Sequence, residues 1–476
     1  MKPERNIVVV GLDAADPQLI KRWAAEGKLP TFAELLRQGR YGDLKSSAEV
    51  FSGSAWPSIT SGCNPGKCGI YSRYQISSGS YNVRRIRAGD NHVMPFWSSF
   101  TGPLVVVDAP KVALSPAIDG AQVVEWGAYD HYSQFSSNPD HLTAEILKAV
   151  GSHPFIEREF EVALHRRRDF PTLKALIVEG VRLKLELNLH LLKNYQPRFF
   201  FSVFGECHAA GHAFWRFHDP CHPGYERGTT LTNALLDVYQ ALDQAIAEML
   251  SALPPQAIFV VLSSQGFGLN SGADEDFLCE FLVKTGMSVP RSTSTQYASY
   301  VPEMIFDMAQ TKAFQLPSDL QGFIRINLSG REPHGKVQPN DYTAVCQKLE
   351  TELLALRHRD SGAPVVKKVV HVNDMFAGPL TADFPDLSVV WNTDQIVTTV
   401  ESATCGVIHR VADPSAGGGN HQGSGFIIIH GADFSPGRFN GQVYDVAPSL
   451  SHWLGESSRP EWDGHLFQYD NETEPC

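Results

Sequence analysis

The chain has 476 residues, 43% hydrophobic and 19% charged, with a formal net charge of −12. This length buries one large core or two ordinary ones, and the composition excludes a disordered chain. No block of Lys or Arg stands out, which argues against a nucleic-acid duplex or an anionic membrane as the main partner; a small anionic substrate stays open, through a metal or helix ends.

In chain order, the N-terminus "MKPERNIVVVGLD" lacks the apolar stretch and cleavage site of a signal peptide. No window approaches the ~20 apolar residues of a membrane helix. Eight cysteines are scattered without a CxxC pair, so neither a disulfide framework nor a cysteine zinc cluster is expected, and the cytoplasm is the expected compartment. Oligomeric state is left open.

"NIVVVGLD" (6–13) predicts a buried strand ending at Asp13, followed by two helical patterns, "DPQLIKRWAAEG" and "PTFAELLRQG", each with a glycine stop. "FSGSAWPSITSG" (51–62) places Ser52 at the opening of a helix-like stretch, with Pro57 in its first turn. Further buried strands are predicted at "PLVVVDAP" (103–110), "PRFFFSVFGE" (197–206), "AIFVVLSSQG" (257–266), "LSVVW" (387–391) and "GFIIIHG" (425–431). Continuous apolar runs alternating with helices predict an α/β fold with a mainly parallel sheet covered on both faces. Two stretches break the rhythm, 127–170 and 275–385, and read as lid insertions in a single domain spanning 1–476.

Polar residues close several of these strands: Asp13, then Glu206 and His208, then Ser264 and Gln265. Ligands in open α/β sheets bind beyond the strands' carboxyl ends, so these residues are expected to meet. Each also has a simpler role. Asp13 fits a metal ligand or a helix cap, and Ser52 a nucleophile favoured by helix-end amides or an ordinary cap. His208 and His212, four apart, lie on one face of a helical turn and suit a shared cation, or a satisfied core. His421, after a glycine run, offers a third imidazole, whereas His218 and His222 read as surface. Arg325, Asn327 and Arg331 in "IRINLSGREP" suit an anionic substrate as well as a structural turn. Asp386 is expected to cap a strand and pack.

The order "IVVVGLD", "GKLPTFAELLRQG", "SGSAWPSITSGCNPGKCGIY", "GECHAAGHAFW", "VVLSSQGFG", "GGNHQGSGFIIIHG", "YDVAPSLSHWLG" resembles the type I phosphodiesterase and nucleotide pyrophosphatase branch of the alkaline phosphatase superfamily, from residue 6 to about 465. The resemblance implies a three-layer α/β/α alkaline-phosphatase-like sandwich. It also implies two metals, commonly zinc, flanking a Thr or Ser nucleophile that forms a covalent intermediate. Asp13 matches the first metal-binding aspartate, Ser52 the nucleophile, and His212 and His421 two histidines of one metal site. The chain departs from the pattern at three places. His208 stands where the family has an aspartate ligand, Ser264-Gln265 replaces an Asp-His ligand pair, and Cys68 replaces a histidine.

Together these readings predict a metal-dependent hydrolase acting on phosphate diesters or related esters, with Ser52 and Asp13 as catalytic residues. One zinc rather than two is expected, with His208, His212, His421 and Asp13 as the candidate metal-binding residues, because neutral Ser264 and Gln265 substitute poorly for carboxylate and imidazole. Arg325, Arg331, Ser264, Gln265 and Glu206 are candidate substrate contacts. The alternatives are a phosphoryl, sulfuryl or acyl transferase on the same fold, or a decayed binding protein.

Overall fold

The computed structural model describes residues 6–156, 169–222, 224–271, 275–291, 301–318, 320–409 and 418–469. In chain order its main elements begin with β1 (Ile7–Leu12), α1 (Pro17–Ala25), α2 (Pro30–Gln38), β2 (Arg40–Lys45) and α3 (Ala55–Ser61). Next come β3 (Leu104–Val107), β4 (Gly120–Val124), β5 (Ser136–Asn138) and α4 (Phe170–Tyr195). They are followed by β6 (Phe199–Phe204), α5 (Glu206–His218), α6 (Ala234–Ser251) and β7 (Ile258–Ser263). The last three are β8 (Gly425–His430), β9 (Gly437–Gln442) and α7 (Val446–Leu454).

The nine strands form one sheet in the order β9-β2-β8-β7-β1-β6-β3-β4-β5. The neighbours β7, β1, β6, β3 and β4 are parallel, while β8 and β5 run against their partners. Alternation along β1 shows why the sheet is covered twice. Val8 and Val10 enter a core shared with Leu19, Phe32, Leu173 and Phe214, and so face α1, α2, α4 and α5. Ile7 and Val9 enter a second core with Trp56, Ile59, Trp97 and Leu450 on the opposite face. A strand buried on both sides needs apolar residues at successive positions, which is the composition of "IVVVGL". The predicted three-layer arrangement is therefore present.

Two strand readings need correction. "GFIIIHG" lies in the central sheet but pairs antiparallel with both β7 and β2. "LSVVW" lies outside it, in a smaller antiparallel sheet ordered 313–316, 322–326, 387–391, 366–371. Leu387–Trp391 is buried throughout. Burial on both faces gives the same apolar run in either sheet, so the pattern alone does not separate them. The stretch 127–170 contributes edge strand β5 and the helix Leu142–Ala149; its residues 157–168 lie outside the described residues. Among the described residues, no helix is long and apolar enough to cross a membrane.

Candidate active site

Parallel register brings the strand ends to one level. Leu12 pairs with Phe204 on one side and Ser263 on the other, so Asp13, Gly205 and Ser264 follow at the same edge. Four non-glycine residues just beyond strands β1, β3 and β4 have left-handed backbones: Ala14 (φ 55°), Asp108 (φ 48°), Lys111 (φ 63°) and Glu125 (φ 60°). Such conformations cost of order 1–3 kcal/mol each and persist only where surrounding contacts enforce them. Here they turn the chain sharply at the edge of a cavity of about 220 Å³, lined by Asp13, Ser52, Lys111, His208, His212 and His421 among others.

The helix α5 starts one residue after Gly205 and carries His208 and His212 on one face. The third imidazole comes from the opposite wall. Gly266–Leu269 pairs antiparallel with Gly419–Gln422, setting His421 across from Phe267. Ring centroids lie 5.0 Å apart for His208 and His212, 4.5 Å for His208 and His421, and 5.1 Å for His212 and His421. Tyr129 stacks on the His208 ring at 3.5 Å, and Phe267 packs against His212 and His421 at 4.8 and 4.9 Å.

Hydrogen bonds fix which nitrogens face the centre. His208 Nδ1 meets Asp13 Oδ2 at 2.8 Å, and His212 Nδ1 meets the Gly419 carbonyl at 3.0 Å. Both Nε2 atoms are thereby turned toward one another, 3.1 Å apart. His421 Nδ1 is buried without a hydrogen-bond partner among the described residues. One donor atom from each imidazole lies within 4.8 Å of the others. The shortest separation is close to the ~3.4 Å edge of a tetrahedron with ~2.1 Å metal–nitrogen bonds; the widest closes by about one and a half ångströms of side-chain movement. Three imidazoles held by a carboxylate and a carbonyl, one with an orphaned nitrogen, fit a divalent cation.

The electrostatics agree with this donor set. Burial, then the neighbouring His208, pushes the His212 pKa down to about 3, and burial with the other two histidines takes His421 well below its usual value. Both are held neutral, the state that donates a lone pair. Burial alone would raise Asp13, but His208, the Trp56 indole and Lys111 outweigh it and hold the carboxyl below its ordinary value.

Asp13 thus stands beside the imidazole group rather than within it. Its Oδ1 accepts from Trp56 Nε1 at 2.6 Å while Oδ2 meets His208. Ser52 opens a 3-10 turn, Ser52–Ser54, that runs into α3, and its Oγ is buried without a hydrogen-bond partner among the described residues. Gly53 sits so close to the next segment that a Cβ would come within 2.8 Å of Ser72 Cα, which explains glycine beside the serine. Gln265 lines the cavity, with Oε1 unpartnered among the described residues, whereas Ser264 is fully buried and does not line it.

Three expected substrate contacts are placed elsewhere. Glu206 is buried and pairs with His153 at 3.0 Å, because the first turn of α5 directs it away from the face of His208 and His212. Arg325 lies in the smaller sheet and Arg331 in the turn that follows the same strand. Arg325 pairs with Glu332 at 2.7 Å and Arg331 with Asp386 at 2.7 Å, so both guanidiniums are internal braces. Asn327 is likewise buried, donating to the Met308 and Thr311 carbonyls. Conversely, sequence reasoning passed over Lys111, Trp56, Tyr129 and Arg73, which line the cavity. For Lys111 the signal was present, since "PLVVVDAPK" ends a buried strand in polar residues just as "IVVVGLD" does.

Solved structures share this architecture. The alkaline phosphatase PafA superposes with a TM-score of 0.56 at 14% identity, covering 97% of this chain and 98% of that one. Phosphonoacetate hydrolase from Sinorhizobium meliloti 1021, in complex with phosphonoacetate, gives 0.52 at 14% identity over 94% of both chains. Murine ectonucleotide pyrophosphatase / phosphodiesterase 5, in complex with AMP, gives 0.50 at 11% identity, covering 98% of this chain and 100% of that one. At such identities the likeness establishes the fold. No curated protein matches by sequence. The type I phosphodiesterase / nucleotide pyrophosphatase family matches residues 7–419, most of the chain, and the protein belongs to that family.

Proposed function

We propose that the protein is a metal-dependent hydrolase of small phosphate esters, foremost diesters, that works through Ser52 with one divalent cation on His208, His212 and His421. The observation that carries this reading is the convergence of three imidazoles, two with their Nδ1 atoms already engaged, in the cavity that also holds Ser52. Zinc is the cation whose preference for imidazole nitrogen, with an open fourth position, matches this donor set best. When bound, it supplies Lewis-acid polarisation of a substrate oxygen.

The chain's own groups do the rest. Asp13 orients His208 and anchors Trp56, and the unpartnered Ser52 Oγ is the nucleophile. As the Oγ–phosphorus bond forms, the bond to the leaving oxygen breaks with its electron pair, and the serine proton passes to cavity water. A water molecule then cleaves the phosphoserine ester and restores the hydroxyl. Phosphonoacetate and AMP, the ligands of two structural relatives, support a small phosphorus-containing substrate.

The test is metal content of protein purified without chelator, with Ser52→Ala and His421→Ala assayed on phosphate mono- and diesters, sulfate esters and acyl donors. Loss of diester turnover in both variants, with metal lost only in His421→Ala, is the expected result. Turnover lost in His421→Ala but intact in Ser52→Ala would make water the nucleophile. No turnover by the zinc-loaded wild type would leave a binding protein.

A further inference from the structure

The cavity that holds Ser52 and the three histidines is small. At about 220 Å³ it lies below the ~300–1,000 Å³ usual for sites that enclose a small molecule, so it has room for a phosphoryl group and little else. A second chamber of about 350 Å³ adjoins it, and Gln265 and His421 line both. Thr393, Asp394, Gln422 and Gly423 line this chamber together with an outer groove of about 920 Å³, so the chamber stands between the groove and the histidines.

We propose that this chamber is a subsite for one alcohol arm of the ester, and that the arm it takes is a neutral polyol of sugar size. The proposal rests on the hydrolase reading above, which leaves the arm unspecified.

Charge selects against the alternatives. The charged side chains around the chamber are Glu49, Lys367 and Asp394. Glu49 lies 3.5 Å from Lys367 and 3.0 Å from Lys368, so the lining ammonium is already engaged, and Asp394 adds a negative charge. An anionic arm, such as a second phosphate, would be desolvated there against a net negative wall.

The neutral groups suit hydroxyls. Gln265 is 6% exposed, and its Oε1 is buried without a hydrogen-bond partner among the described residues; Trp391, 5% exposed, has its Nε1 in the same condition. Buried polar atoms are nearly always paired, so an acceptor and a donor left over beside one chamber call for a ligand that complements both. A hydroxyl does so. A sugar also offers a C–H face to the indole ring. The terminal torsion of a glutamine is soft, so the Gln265 amide can turn toward an arm without moving the backbone. The family resemblance implies a metal-binding histidine at this position; the amide found here is a weak ligand and a good hydrogen-bonding group.

The chamber is also held in register with the serine. Gln321 borders it and donates to the Ala48 and Glu49 carbonyls at 2.6 and 3.1 Å, while its Oε1 accepts from Ser52 N at 3.4 Å. An arm seated on this floor therefore has a fixed position relative to Ser52.

The experiment uses zinc-loaded Ser52→Ala protein, which lacks the serine hydroxyl and so holds a diester long enough for titration calorimetry. Two probes are compared, glucosyl methyl phosphate and cyclohexyl methyl phosphate, which share the phosphoryl group and differ in the oxygens of the ring. The glucosyl diester is expected to bind roughly tenfold more tightly or better, because the analogue leaves buried polar groups unpaired. Adding Trp391→Phe or Gln265→Met should each cut that preference roughly fivefold, the worth of one hydrogen bond. Equal affinities for the two probes, or tighter binding of the cyclohexyl diester, would overturn the proposal, and that comparison needs neither chamber variant to fold. A preference undiminished by both substitutions would overturn it too, because the hydroxyls would then be read elsewhere. The hydrolase reading fails separately, if wild type binds both diesters and turns over neither.

Discussion

Asp13 lies beside the histidine cluster and engages two of its neighbours through separate oxygens. It fixes His208 by its Nδ1 and holds the Trp56 indole, so removing its charge should loosen an imidazole rather than delete a ligand. Asp13→Asn is expected to weaken zinc binding roughly 10- to 100-fold, the usual penalty for losing a carboxylate behind a ligating histidine, measured by competition with a chromophoric chelator. His212 carries a pH signature. Its pKa in the folded chain is held down to about 3, below the ordinary histidine value, so the unfolded chain binds more protons between the two. Stability from this group is full above about pH 6.5 and is lost as pH falls toward about 3, at up to roughly 1.4 kcal/mol per unit. Metal-free protein should therefore melt at progressively lower temperature on acidification across that window, and His212→Gln should flatten the trend. A slope unchanged in the variant would assign the effect to other groups. At this scale the sequence singled out the three histidines and Ser52 because each borders a recognisable run. It hid the difference between a ligand and its support, since Asp13 reads the same in either role. It also hid the internal pairing of Arg325 and Arg331, whose partners Glu332 and Asp386 are distinguished only by folding.

Among the elements, α1 and the short ladder at the cavity wall are joined by one side chain. Asp16 caps α1 by accepting from Leu19 N at 2.8 Å and also accepts from Phe267 N at 3.2 Å. Phe267 faces His421 across the ladder, so the cap reaches the wall that carries His421 through a single intermediary. Asp16→Ala should cost about 1–2 kcal/mol in chemical denaturation, the range for losing a buried N-cap. Strand identity was legible wherever a run was both apolar and bounded by polar ends. Strand partnership was not. Burial on two faces conceals direction, which is why Gly425–His430 turns out antiparallel and Leu387–Trp391 belongs to the other sheet.

Over the whole molecule, the smaller sheet has its own core and shares a second one with the segment around Ser52. Phe51, next to Ser52, packs on Phe323, Phe376 and Phe384 at 5.6, 5.1 and 5.2 Å. Phe323→Ala should lower kcat while leaving zinc content unchanged, because it removes footing beneath Ser52 and touches none of the histidines; loss of zinc in that variant would show that the two parts are not separable. The brace within the smaller sheet is heavier. Asp386 takes Arg331 in two bonds, of 2.8 and 2.7 Å, along with Ile326 N at 2.6 Å and the Tyr342 hydroxyl at 2.8 Å. Asp386→Ala removes two of the guanidinium's bonds and leaves Arg331 on Glu332 and the Ile326 carbonyl, and it should destabilise the fold by about 1–3 kcal/mol, read from urea unfolding.

Leu269 and Gly419 face each other in the ladder at the cavity wall, and the chain between them makes the entire smaller sheet. The excursion leaves and rejoins the central layers at a single point, as a side road does. Its contents can lengthen, shrink or be exchanged in a lineage without threading any other strand and without moving His421 out of register. Because Phe51 leans on that excursion, each exchange would also reset the ground under Ser52. Such an exchange would alter the surroundings of Ser52 while leaving the cluster of His208, His212 and His421 in place.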